Sequence, residues 1–133
     1  MVAAVYSTVL AAIYPDVETA FPGVPVAYPN GPIDLNAVPD LWAEVEVVFT
    51  TADQVNLAVN PKTRQRGFVY VSVYAREGTG TAAGAGLLAW FTGRLAYLRS
   101  GGLQLKEATA VTEPNARGWF VTGLKVEFFY DPP

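Results

Sequence analysis

Glu44 and Glu46 stand two residues apart in a stretch of alternating apolar residues, so on an extended backbone their carboxylates share one face, about 7 Å apart. That spacing permits paired acid and base work. Alternating acids on a strand are more commonly its solvated or interface face when no other polar group converges on them, and we prefer that reading. A second motif, Gly78-Thr79-Gly80-Thr81-Ala82-Ala83, fits G-x-G-x-x-A between a strand pattern and a helical one, the setting of a dinucleotide site. Its context is poor: Arg99 and Ser100 stand where a ribose-binding acid is expected about 20 residues on, and no P-loop lysine follows. A tight turn and helix cap account for these glycines as well. Lys62, Arg64 and Arg66 form a basic turn, with Arg64 and Arg66 on one side if the backbone there is extended. Such a turn is either solvated or makes bidentate pairs with the carboxylates of another subunit.

The chain lacks the usual means of doing more. It has no histidine and no cysteine, which removes the common base of a serine hydrolase, thiol nucleophiles, disulfides and the imidazole and thiolate ligands of zinc. The acids lack the spacing of a calcium loop. We therefore expect no catalytic residues, no metal site and no cofactor. The net charge of −3 argues against a basic patch that holds nucleic acid. The start, Met1 to Ile13, is apolar without a basic leader, and no run approaches the roughly 18–20 apolar residues that span a bilayer, so neither export nor membrane insertion is expected. Apolar residues make up 51% and charged residues 16% of the 133, an apolar surplus for one domain and a reason to expect a partner.

The elements that would position these residues follow from periodicity. Val2, Val5, Tyr6, Val9, Leu10 and Ile13 keep helical spacing up to Pro15. Six of the ten prolines fall between Pro15 and Pro39, which leaves an extended arm with a short edge strand near Val24 to Tyr28. That arm is read equally well as a surface loop or as part of an interface. From Leu41 the period is two: Leu41, Ala43, Val45, Val47 and Phe49 point one way, and Trp42, Glu44, Glu46, Val48 and Thr50 the other. A further strand is expected at about Gln54 to Val59, then a turn through Asn60 to Gln65. Gly67 to Arg76 follows, with Val69, Val71 and Val73 opposite Phe68, Tyr70 and Tyr74. A second helix should run from a cap at Thr79 or Thr81 to about Ser100 and leave through Gly101-Gly102. Leu103 to Thr112 and Trp119 to Tyr130 read as the last strands. The whole is one α+β domain over 1–133, mainly an antiparallel sheet of about five to six strands with two helices packed on one face.

The second helix is apolar on more than one side. Gly84, Leu87, Leu88, Phe91, Leu95 and Leu98 form a core stripe; about 130° away lies a second, Gly86, Trp90, Gly93 and Tyr97, and Ala85, Ala89, Thr92 and Ala96 fill most of the rest. A chain of this size has few elements to cover a second face. Each interior glycine costs about 1 kcal/mol of helix propensity. A crowded core within the chain and the close approach of another subunit explain the glycines equally well. The residues most suited to an intersubunit contact are Trp42, Glu44, Glu46, Lys62, Arg64, Arg66, Trp90 and Tyr97.

Gln65-Arg66-Gly67-Phe68-Val69-Tyr70-Val71-Ser72-Val73-Tyr74, then Glu77-Gly78-Thr79-Gly80-Thr81 leading into a helix, together with the proline-rich early segment and the small α+β layout, resembles the tail terminator-like proteins of long-tailed bacteriophages over nearly the whole chain. The resemblance implies a structural protein rather than an enzyme: a homo-oligomeric, hexameric ring that caps the tail tube, ends its growth and presents a surface to the head-side connector. It implies the neck-proximal end of the virion tail as the location, after synthesis in the host cytoplasm, with tail tube protein and connector as partners. DNA would pass through without specific binding, which suits an acidic chain. The family offers no short functional motif to carry over residue by residue. The rival expectation is a nucleotide-binding or small-ligand α+β domain that uses the Gly78-Gly80 turn or a pocket between helix and sheet.

Overall fold

The alternation that starts at Leu41 yields a strand far longer than its apolar run alone demands. In the computed structural model, which describes residues 8–9, 11, 26–27, 40–54, 63–77, 82–112 and 118–131, strand β2 spans Leu41–Gln54. It follows the two-residue β1, Val26–Ala27, and precedes β3, Thr63–Arg76. Helix α1, Ala82–Leu95, comes next, and β4, Arg99–Ser100, β5, Leu103–Thr112, and β6, Trp119–Tyr130, complete the described elements. The sheet order is β1-β2-β3-β6-β5-β4. All pairings are antiparallel except β1 with β2, which is parallel. The expected α+β class with a mainly antiparallel sheet is therefore the observed one.

Several boundaries differ from expectation, each for a local reason. A separate strand was expected to begin at about Gln54; instead β2 runs through to Gln54 by way of a bulge between Phe49 and Thr51, which absorbs one residue and keeps the ladder intact. The rest of that expected strand, 55–59, lies outside the described residues. Strand β3 starts at Thr63, so Arg64, Gln65 and Arg66 belong to the ladder with β2 and not to the turn. Two helices were expected, and only α1 has its bounds among the described residues; Thr8, Val9 and Ala11 are helical, with Val9 fully buried in the main core. The remainder of Met1 to Ile13 lies outside the described residues.

Helix α1 also stops sooner than expected. Ala96 N still donates to Thr92 O, but Tyr97 takes a left-handed φ of 60° and its N–H donates instead to Lys106 O of β5. Leu98 then accepts from Leu105 N. The exit is thus made by a tyrosine whose backbone is held by the sheet. Gly101 and Gly102 do have positive φ, 58° and 90°, yet they form the turn between β4 and β5.

One face of the sheet carries the core. Ala43, Val45 and Val47 of β2, Val69, Val71 and Val73 of β3, and Leu124, Val126 and Phe128 of β6 pack with Leu87, Phe91 and Leu95 of α1. Among the described residues Phe91 is the largest side chain with no exposure. On the other face Trp42, Trp119 and Val121 form a smaller buried cluster with Tyr74 against it. Gly67 sits where β2 approaches closely: a Cβ there would lie 2.0 Å from Val48 O and 3.0 Å from Phe49 Cα and the Phe128 ring.

Two substitutions test this packing in denaturant melts. Phe91→Ala should cost about 3–5 kcal/mol through the cavity it leaves. Gly67→Ala should cost about 1–3 kcal/mol, because the obstacle is a backbone carbonyl that can move only with the strand.

Candidate functional site

The two-residue period brings Trp42, Glu44 and Glu46 of β2 to the sheet face opposite the core, and the extension of β3 adds Arg64 and Arg66 to the same face. Across the ladder Trp42 stands beside Tyr74, Glu44 beside Ser72 and Glu46 beside Tyr70; Tyr70 in turn pairs with Lys125 of β6. Of the residues singled out from the sequence, these five share one surface. Trp90 and Tyr97 lie on α1 and its exit, across the sheet. Lys62 lies outside the described residues.

Burial separates these residues further. Trp42 is only 4% exposed. Its ring stacks on Tyr74, centroids 4.0 Å apart and 6° from parallel, and meets the edge of Trp119 at 6.1 Å. Arg76 closes this cluster: its guanidinium lies 4.4 Å from the Trp119 ring and its Nε donates to Asp40 at 2.7 Å. Trp42 is thus a packing residue of its own chain, and its buried Nε1 has no hydrogen-bond partner among the described residues. Glu44 is half-buried and Glu46 exposed.

Arg64 does not wait for another subunit's carboxylate. Its Nε and Nη2 donate to the two carboxylate oxygens of Asp131, at 2.8 and 2.9 Å, while the guanidinium lies 4.2 Å from the Phe129 ring. Asp131 N donates to Gly102 O, so this fork ties the start of β3 to the end of β6 and the β4–β5 turn. The sequence offered no signal for it, since the partners are 67 residues apart. Arg66 is half-buried and helps line a hollow of about 210 Å³ with Lys106 and Glu127. A second hollow of about 310 Å³ adjoins Arg99, Gly102 and Asp131. Glu44 and Glu46 line neither of these two hollows. Gly78 to Thr81, the heart of the glycine-rich motif, lies outside the described residues.

Helix α1 shows its second apolar side to solvent. Gly84, Leu87, Phe91 and Leu95 are buried, whereas Ala85, Gly86, Ala89 and Gly93 are exposed and Trp90 is half-buried. Tyr97 is 70% exposed. A Cβ added at Gly86 or Gly93 would meet nothing within 4 Å. Crowding among the described residues is therefore not why these positions are glycine. Thr92 turns its hydroxyl back to Leu88 O, and Arg94 lies 5.4 Å from the Trp90 ring.

No protein-family model and no curated protein matches this chain. A solved structure whose name carries no functional description shares the fold, with a TM-score of 0.71 over 95% of this chain and 92% of its own at 14% identity. At that identity the likeness bears on fold alone.

Open space at Gly86 and Gly93 makes a definite prediction. Gly86→Ala and Gly93→Ala should each raise the stability of the isolated chain by about 0.5–1 kcal/mol, as the helix gains propensity without a clash. Thermal melts at low protein concentration read the gain directly. The Arg64–Asp131 pair is about one-third exposed, so a double-mutant cycle with Arg64→Gln and Asp131→Asn should give a coupling below about 1 kcal/mol that shrinks with added salt.

Proposed function

We propose that this chain is a structural subunit of the phage tail terminator kind, a closed ring of identical copies that caps the tail tube, ends its polymerisation and joins the tail to the head-side connector. In this reading it is not an enzyme, needs no cofactor, and acts in the virion at the neck-proximal end of the tail. A second helix over the apolar start, Val2 to Ile13, would complete the layer on the core face. The observation that carries the reading is the outward side of α1, where Ala85, Gly86, Ala89 and Gly93 expose an apolar, side-chain-poor surface. Such a surface suits the close approach of another backbone. A ring of more than two copies requires that one patch meets a different patch on its neighbour, and a chain with two differently built faces provides that asymmetry. The net charge of −3 suits a lumen through which DNA slides without sticking.

Native mass spectrometry and negative-stain electron microscopy of the purified protein test this, with closed rings of a single size as the expected result. A monomer at every concentration, together with thermal stabilisation by a nucleotide, would replace the reading with a ligand-binding one, since ligand at 100 times its dissociation constant adds about 2.7 kcal/mol.

A further inference from the structure

The hollow of about 310 Å³ beside the β4–β5 turn is bordered by hydrogen-bond donors that the ladder brings together. Arg99 pairs with Gln104 across the β4–β5 hairpin, and Gln104 pairs in turn with Phe129 of β6. Directly opposed residues of an antiparallel pair have Cβ atoms about 4.5–5.5 Å apart, so a guanidinium and an amide are presented side by side with an aromatic ring next to them. Ser100 borders the same hollow. Arg99 and Ser100 are exposed. Unlike Arg64 and Arg76, Arg99 forms no ion pair among the described residues. Asp131 is an acid at this hollow, but both of its carboxylate oxygens already accept from Arg64, so its charge is met before an anion arrives.

The frame of the hollow is fixed as well. Gly101 and Gly102 take φ of 58° and 90°, the hand of a two-residue hairpin turn that matches the twist of its strands. Gly102 O accepts from Asp131 N, and a Cβ on Gly102 would lie 2.1 Å from Asp131 O. Donors on a frame set in advance lose little freedom when they meet a ligand.

We propose that this hollow is a phosphate site, with Arg99 gripping two oxygens of the anion and the Gln104 amide and Ser100 hydroxyl donating to the others. It is read from this chain alone and does not rest on the ring. Arginine recognises carboxylate and phosphate alike through its planar fork. Donors from a second strand and from the turn favour the anion with three or more acceptor oxygens over a carboxylate with two. Arginine, serine and glutamine side chains are also among those that hold phosphates of nucleic-acid backbones without reading sequence. The net charge of −3 is no obstacle, because exposed charges farther away than about 10 Å are largely screened at 0.1 M salt.

Equilibrium dialysis of the full-length protein against radiolabelled inorganic phosphate, at constant ionic strength in sodium chloride, tests the site. Saturable uptake of one phosphate per chain is expected. Arg99→Gln should weaken it at least about tenfold and Ser100→Ala by less, since a hydrogen bond to a charged group is worth more when the donor is itself charged. Arg94→Gln, which removes an exposed cation from α1, should leave uptake unchanged. Unlabelled single-stranded DNA in competition separates the two sources of phosphate: displacement assigns the site to a phosphodiester backbone, and retention of the label assigns it to inorganic phosphate or a monoester. Uptake that never saturates, or equal losses from Arg94→Gln and Arg99→Gln, would overturn the proposal in favour of diffuse attraction to surface cations. Arg99→Gln protein with an unchanged melting midpoint and undiminished uptake would overturn it too.

Discussion

Strand β3 is laddered along its length to β2 on one side and β6 on the other, so its register decides which residues of three strands face helix α1. A slip of one residue would turn Val69, Val71 and Val73 outward and bring Phe68, Tyr70, Ser72 and Tyr74 into the core. Gly67 fixes that register locally. Only a residue without a side chain lets the bulged β2 come so close, with Val48 O 2.0 Å from where a Cβ would be and the Phe128 ring at 3.0 Å. The close approach lies next to the T-shaped pair of Phe49 and Phe128, so backbone contact and aromatic packing favour the same alignment.

Helix α1 depends on that alignment and in turn hides it from water. Leu87, Phe91 and Leu95 recur at one helical face over the valines, and the end of the helix is set by β5, which draws off the Tyr97 N–H. At the other end of the assembly of strands, Gly102 allows the Asp131 backbone to come within 2.1 Å of its would-be Cβ, and Asp131 holds Arg64 by both oxygens. Burial of one face thus sets the fold, while a polar fork seals the edge where β3, β6 and the β4–β5 turn meet.

Much of this was legible from residue order. The period of two placed Ala43, Val45 and Val47 opposite Trp42, Glu44 and Glu46, and the bounds expected for the last two strands, Leu103 to Thr112 and Trp119 to Tyr130, are the observed ones. The stripe through Leu87, Phe91 and Leu95 was equally plain. What escaped depends on partners distant in sequence. Nothing near Trp42 foretells that Tyr74 and Trp119 cover it, nothing near Arg64 names Asp131, and helical spacing cannot show that β5 will end α1 at Leu95. Glycine pairs mislead in the same way: Gly101-Gly102 suits a helix exit and a hairpin turn alike, and only the length of the preceding helix decides between them.

The same division bears on how the protein works in the reading proposed. Arg64, a charge that looked available for a neighbour, is committed at home to Asp131, and Arg76 is likewise paired with Asp40. Both pairs are substantially exposed, and pairs of that kind contribute little and weaken with salt, so they are poor candidates for holding a ring together. The outward side of α1 is of another type: Ala85, Gly86, Ala89 and Gly93 are exposed there and carry no charge to screen. Association through such a surface depends on excluded water, which survives ionic strength better than surface ion pairs do. A ring built this way would keep its contacts while counterions redistribute around DNA in its lumen.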